Sequence, residues 1–255
     1  MPQLTESLAA EIPGFWLAVS ITQIDPLLGE SPIGSDRSGN SEYIETAWVD
    51  IESDFEKYWN QRGKNLRQNM RKQRNKLLAD GIDARMSILT KPADIGAAVQ
   101  RYGVLESSGW KASQGTSIHP DNAQGKFYHE LLEQAAGRGE AVIYEYLFAD
   151  RTVAMSLCLR RNRTLVMLKT TYDESIKVFS PAFLLSQDLL QHLFKEGQID
   201  RLEYFGRVME WHTRWTSNKR SLFHFTLYRW PLVKTMAEKR RQQREARTLA
   251  VAAAG

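Results

Sequence analysis

The stretch AVIYEYLFADRTVAMSLCLRRNRTLVMLKTTY, residues 141–172, carries three strand-like runs with almost nothing between them. Residues 140–149, 152–160 and 163–172 are dense in Val, Ile, Leu, Tyr and Thr, which suit a pleated, half-buried surface. The first two meet at the tight Asp150-Arg151 connection and are expected to pair as a hairpin. On the C-terminal side the period turns helical from Ser180 to Glu196 and stops at Gly197. A strand follows at 201–205, then a short helical or irregular piece at 208–218 and a strand at 222–229. On the N-terminal side residues 82–90 alternate as a strand, and 92–107 place Ile95, Val99, Tyr102 and Leu105 at helical spacing behind Pro92. A Gly-rich loop spans 108–120, and a second helix spans 122–137, ending at Gly137. The order from residue 81 is thus β-α-α-β-β-β-α-β-(α)-β, an α/β arrangement.

The region before residue 81 reads differently. Residues 15–24 and 43–51 are strand-like, while 25–41 hold three Gly, two Pro and four Ser, the composition of a long loop. Ser53 and Glu56 form an S-x-x-E capping box for a helix that breaks near Gly63. A second helix runs from Asn65 to Ala79 on Leu66, Met70, Leu77 and Leu78 and stops at Asp80-Gly81. Its other face is almost wholly cationic. Three parts result: an N-terminal extension over 1–80, an α/β domain over 81–233, and a basic helical tail over 234–255 that lacks an apolar stripe for docking.

At 255 residues, 42% hydrophobic and 25% charged, the chain can bury one large core or two small ones, which excludes collagenous, low-complexity and wholly disordered classes. The net charge of +4 is located rather than spread. Residues 234–255 carry six cations against Glu238 and Glu245, and residues 61–78 carry seven with no acid, whereas residues 1–60 hold eleven acids against Arg37 and Lys57. The cationic stretch has no interleaved aromatic residue between Arg62 and Leu78, which leaves base stacking on single-stranded nucleic acid unsupported. A single cysteine, Cys158, excludes an intramolecular disulfide and a multi-cysteine zinc site. The five histidines show no metal-binding spacing, so no metal is expected. Neither a Gly-x-Ser-x-Gly elbow nor a P-loop occurs, which argues against a serine hydrolase or a nucleotide triphosphatase. With no secretory leader pattern and no apolar run near the roughly eighteen residues of a membrane helix, a cytoplasmic location without a membrane span is expected.

Several local motifs fall at meaningful places in this order. They are Ser108-Gly109-Trp110-Lys111 with Gly115-Thr116, Ala154 in the second central strand, Thr171-Tyr172-Asp173 at the end of the third, and Ser180-Pro181 with Leu184-Leu185 at a helix start. Together they resemble the GNAT superfamily of acyltransferases, a mixed central sheet flanked by helices, and within it the CelD/BcsL-type branch, a relative of the FemABX aminoacyl transferases. That branch is associated with cellulose and other polysaccharide biosynthesis. The resemblance implies acetyl-CoA or another acyl-CoA as donor, and an unidentified amine or hydroxyl acceptor that attacks directly. The superfamily's usual [RQ]-x-x-G-x-[GA] pyrophosphate loop is absent between Thr171 and Leu185, and Ala182 stands where relatives with Ser-Pro place Gly. A literal match at Gln134–Gly139 lies at a helix end, where Gly137 and Gly139 read as stop residues.

The resemblance also distributes roles. A backbone N–H among Leu168, Lys169 and Thr170 would polarise the thioester carbonyl. The donor pyrophosphate would sit at the helix start, with Ser180 as N-cap, Pro181 at the first position, and the amides of Ala182, Phe183 and Leu184 facing it. Tyr172 is the candidate acid and Asp173 a base or an anchor for a cationic acceptor, against the alternative of a packed ring and a turn carboxylate. Tyr204 is favoured over Glu203 as the cleft-facing residue of the next strand, with core packing as its competing reading. His212 is a base candidate, and Trp110 and Lys111 would shape the acceptor pocket. Two alternatives stand beside acyl-CoA transfer: a FemABX-like aminoacyl transfer from charged tRNA, served by Arg67, Arg71 and Arg74, and a catalytically degenerate binding module.

Overall fold

A computed structural model describes residues 2–29, 33–52, 54–107, 118–119 and 122–253. The chain divides into two compact units, one of residues 1–46 with 220–255 and one of residues 47–219.

In the first unit, helix α1 (Pro2–Glu11) precedes strand β1 (Ala18–Ile24), and strand β2 (Ser38–Asp50) contributes its residues up to Thr46. Strand β8 (Lys219–Tyr228), from Arg220 on, and helix α8 (Pro231–Ala253) complete it. β1 pairs antiparallel with β8 from Ala18 opposite Tyr228 to Ile24 opposite Phe223. The unit's apolar cluster is small, namely Ile24, Phe223 and Phe225, with Ala9 and Leu227 buried beside other neighbours. Arg220 and Asp25 close one end at 2.6 Å. β2 begins five residues before the expected strand, inside the segment expected as loop. Its Ser38-Gly39-Asn40-Ser41 start has poor strand propensity, but β2 lies next to β8 in the sheet, and ladder pairing overrides propensity. Helix α1 is not among the expected elements, although Pro2 stands at its first position.

The second unit starts with helix α2 (Phe55–Asn60), whose N-cap is Asp54: its side chain accepts from the Lys57 amide at 2.7 Å. Ser53, the cap expected from the S-x-x-E pattern, lies outside the described residues. Helix α3 (Lys64–Ala79) buries Leu66, Met70, Gln73 and Leu77, one residue every three to four positions. Then come β3 (Ala84–Leu89), α4 (Pro92–Ser107), α5 (Ala123–Gly137), β4 (Ala141–Phe148), β5 (Arg151–Arg161) and β6 (Thr164–Tyr172). A 3₁₀ turn over Glu174–Phe179 leads to α6 (Pro181–Glu196), β7 (Arg201–Tyr204) and α7 (Glu210–Thr213).

Within this unit the sheet order is β2-β7-β6-β5-β4-β3. All described pairings there are antiparallel except that of β6 with β7, so the sheet is mixed and helices flank it, as the element order led us to expect. α6 and α3 pack with Tyr144, Tyr146, Cys158 and Leu165, while α4 and α5 pack with Ala141, Ile143, Met155 and Leu157. This is the alternation of side chains along β4 and β5 read out as two cores. The Gln134–Gly139 sequence ends α5: Gly139 has φ +71°, and the Glu140 amide reaches back to the Ala135 carbonyl at 2.8 Å, so these glycines are helix-stop residues. No described helix is long and apolar enough to cross a membrane.

Candidate active site

Two irregularities in β6 create the site. Strand β7 pairs with it over only four residues, from Thr164 opposite Arg201 to Met167 opposite Tyr204, and β6 then runs on to Tyr172 without that neighbour. On its other edge the register slips between Leu157–Lys169 and Cys158–Met167, so Leu168 is the extra residue of a bulge. A bulge leaves its extra residue out of the ladder and bends the strand. At the open end lies a cavity of about 320 Å³. β6 supplies Thr170, Thr171 and Tyr172 to its wall, and α6 supplies Ala182, Phe183 and Ser186. The α7 region adds Met209, Trp211 and Trp215, and Glu106 and Glu174 bring two carboxylates. Among the described residues, no lysine or arginine is in the wall.

Rigid support stands behind this wall. Trp215 is fully buried, and its ring lies near-parallel to Trp59 at 6.2 Å and tilted on Phe183 at 5.8 Å. Its carbonyl accepts from the Tyr58 hydroxyl at 2.8 Å and from Arg62. Its indole N–H is buried without a hydrogen-bond partner among the described residues, an arrangement that costs stability. Glu106, 2% exposed at the end of α4, accepts from the Ile118 amide at 2.6 Å and from the Tyr102 hydroxyl at 3.4 Å. Burial raises the Tyr102 hydroxyl well above its ordinary range, and the Glu106 charge adds to that. Tyr102 therefore stays a donor to the carboxylate.

The residues singled out from sequence distribute unevenly around this cavity. Thr170, Tyr172, Ala182 and Phe183 line it. Leu168 packs toward α4 and α5, and Lys169 reaches over the Tyr128 ring at 5.7 Å. Pro181 occupies the first turn of α6, but Ser180 does not cap it: its φ of +53° is left-handed and its side chain makes no capping bond. The Phe183 and Leu184 amides both donate to the Ser180 carbonyl, and Leu184 is fully buried in the core. Of the three amides expected to face a phosphate, only that of Ala182 escapes the Ser180 carbonyl.

Three proposed acid–base groups are placed elsewhere. Asp173 caps the 3₁₀ turn through the Ser175 amide at 2.9 Å and pairs with Arg151, so the anchor for a cation is already taken by the protein's own arginine. Burial acts to raise its carboxyl, but the Ser175 hydrogen bonds and the Arg151 charge outweigh it and hold the group below the usual range, unsuited to a base at neutral pH. Tyr204 is 3% exposed and edge-on to Trp211 and His212, and burial lifts its hydroxyl far above its ordinary range. It is placed as a packed core ring outside the cavity wall. His212 accepts from the Met209 amide at 2.8 Å, and burial depresses it to about 4, so it is a neutral helix-start residue outside the cavity wall. Trp110 and Lys111 lie outside the described residues. Sequence reasoning passed over Glu106, Trp211 and Trp215. Glu106 directly precedes the Ser-Ser-Gly-Trp-Lys loop, and Trp211 and Trp215 flank His212 at helical spacing, the signals that could have marked them.

With this geometry in hand, relationships to known proteins are informative. Residues 64–215, more than half of the chain, match the acetyltransferase (GNAT) domain family. The chain belongs to that family. The match covers the sheet from β3 to β7, both irregularities of β6 and the whole cavity wall. This GNAT protein is thereby a GNAT-type acyltransferase. No curated protein matches it. Among solved structures it is similar in fold to the C-terminal domain of a protein described as a lysylphosphatidylglycerol synthetase from Agrobacterium fabrum, with a TM-score of 0.57 at 12% identity, over 88% of this chain and 71% of that one. FemX gives 0.56 at 9% identity, over 89% and 75%. A conserved protein of unknown function from Bacteroides thetaiotaomicron VPI-5482 gives 0.53 at 11%, over 76% of this chain and 63% of that one.

Proposed function

We propose that this GNAT protein transfers an acyl group from an acyl-CoA to an amine or hydroxyl acceptor by direct attack at the open end of β6. The observation that carries the reading is the meeting of the strand opening and the start of α6 in one cavity wall, with the Leu168 bulge two residues before Thr170 of that wall. A backbone N–H freed by the bulge suits a thioester carbonyl, and the α6 start, where the Ala182 amide does not donate to the Ser180 carbonyl, suits a phosphate. The acceptor gives its proton to the Glu106 carboxylate as its nitrogen or oxygen bonds to the carbonyl carbon. The carbon–sulfur bond then breaks, the electron pair leaves on sulfur, and Tyr172 protonates the thiolate. Glu106 replaces Asp173, Tyr204 and His212 in this scheme because, among the described residues, it and Glu174 are the carboxylates of the cavity wall, whereas those three lie outside it. An acceptor from cell-envelope or polysaccharide metabolism, as in the CelD/BcsL-type branch, is consistent with the Ser180-Pro181 helix start.

Calorimetric titration with acetyl-CoA tests the donor. Ser180→Asp is expected to weaken binding by roughly tenfold by setting a like charge at the helix start, and Tyr172→Phe to retain binding and lose turnover. A folded sample that binds no CoA thioester overturns the donor assignment. A second reading, aminoacyl transfer from charged tRNA, draws on one observation: the cations of α3, of which Lys64, Arg71 and Lys72 are exposed. A silent binding module is disfavoured by the cavity, which side chains leave open.

A further inference from the structure

A second concavity, of about 740 Å³, lies at the β6 end, where Asp173 and Ser175 line it. Ala97, Gln100, Arg101 and Val104 form its α4 wall, spaced three and four residues apart on one helix face. Facing them are Arg151 and Thr152 from the start of β5 and Asp173 and Ser175 from the end of β6.

Both arginines are held from behind. Arg101 donates Nε and Nη2 to the two oxygens of Glu145 at 2.7 and 2.8 Å, and Glu145 is itself fixed by the Thr152 hydroxyl. Arg151 donates Nη2 to Asp173, which the Ser175 amide and hydroxyl fix at 2.9 and 2.6 Å. The carboxylate side chains are 5% and 10% exposed, whereas those of Arg101 and Arg151 are 43% and 62% exposed. The concavity is thus presented with guanidinium edges, while Glu145 lies behind the wall and Asp173 stands in it, paired with Arg151. A guanidinium has five N–H groups in one plane, and these partners use two on Arg101 and one nitrogen of Arg151. Among the described residues, Nη1 of Arg101 and Nε and Nη1 of Arg151 have no acceptor. Two arginines whose orientation is set in advance, with donors left over, make a clamp for a planar carboxylate or a tetrahedral phosphate.

The clamp and the acyl-transfer cavity share their walls. Along α4, Leu105 lines the groove and the next residue, Glu106, the cavity. At the end of β6, Tyr172 lines the cavity and Asp173 the groove. We infer that the groove holds a carboxylate or phosphate group of the acceptor on Arg101 and Arg151, while the acceptor's amine or hydroxyl reaches Glu106 and Tyr172. The acceptor role rests on the function proposed above, whereas anion binding in the groove does not.

The test is ligand-observed NMR titration of the full chain with phenyl phosphate and benzoate, with benzyl alcohol as the neutral control, alongside a separate calorimetric titration with CoA. Arg151→Gln removes half of the clamp and leaves Asp173 bonded to Ser175. Gln100→Glu sets a negative charge in the groove without touching either ion pair, so it remains informative if an arginine variant fails to fold. Each is expected to weaken binding of the anionic probe by roughly tenfold, the scale of one charge-assisted hydrogen bond, and to leave CoA affinity unchanged. Preference for phenyl phosphate or for benzoate then decides between the two acidic groups. Wild-type protein that binds neither anion, or variants that bind them as wild type does, overturns the clamp. Competition between CoA and phenyl phosphate overturns the acceptor assignment, because the clamp would then hold the donor's phosphates. Absence of CoA binding with anion binding intact counts against the acyl-CoA reading alone.

Discussion

Glu106 shows how much a single side chain can be asked to do. Its carboxylate supports the Ile118 amide and the Tyr102 hydroxyl and also lines the cavity, so a substitution must separate support from chemistry. Glu106→Gln keeps one oxygen as acceptor for the Ile118 amide, gives up the second acceptor that the Tyr102 hydroxyl uses, and cannot take a proton. It is expected to fold, to bind acetyl-CoA as wild type does, and to lower kcat by roughly 10² to 10⁴-fold. An unchanged kcat assigns Glu106 to support alone. Asp173 makes the complementary case of a carboxylate kept out of proton transfer. Its folded-state pKa is depressed by Ser175 and Arg151 against burial, so its contribution is fully present above the ordinary carboxylate range and is lost as pH falls through the lowered value. Asp173→Asn should therefore cost about 1 kcal/mol at pH 7, and in denaturant titrations the gap between variant and wild type should begin to close as pH falls into the ordinary carboxylate range and vanish only below the lowered value. A gap that persists at low pH would trace to packing instead.

At the scale of elements, the start of α6 carries strain that its side chain does not repay. Ser180 sits at φ +53° with no capping bond, and left-handed backbone costs an ordinary residue about 1 kcal/mol. Ser180→Gly is expected to stabilise the protein by roughly 0.5 kcal/mol, the gain at a left-handed position less the entropy that Gly adds to the unfolded chain. A fall in Tm for this variant would mean the hydroxyl holds something. The contrast between this junction and the strands around it explains what the sequence could tell. Hydrophobic period placed β4, β5, β6 and α6 within one or two residues, because a buried face must repeat at a fixed spacing. A bulge has no such signature: Leu168 is one apolar residue among several, and only the pairing partners reveal that it is the extra one. Cap geometry fails for a similar reason, since Ser180 has the right chemistry and the wrong backbone. The carboxylate of Asp173 was legible as important, but its partner Arg151 lies 22 residues away, a distance that local patterns do not span.

Across the whole molecule, the charge of +4 bears on the choice of donor. The cationic stretch of α3 is partly spent within its own unit. Arg74 binds Gln187 and Asp188, Arg67 binds the Arg62 carbonyl, and Lys76 lies over the Phe179 ring at 4.3 Å. Lys64, Arg71 and Lys72 remain exposed. Three cations on a polyanion give a log–log salt slope of roughly −2 to −3 and weak affinity at physiological ionic strength. For an acyl-CoA enzyme, tRNA binding should accordingly fail to saturate below about 0.1 mM, and the triple variant Lys64→Ala, Arg71→Ala, Lys72→Ala should keep wild-type turnover with acetyl-CoA. Saturable tRNA binding at low micromolar concentration, lost in the triple variant, would instead make α3 a donor surface and move the protein to aminoacyl transfer. The two readings then part on a binding curve rather than on a fold that both share.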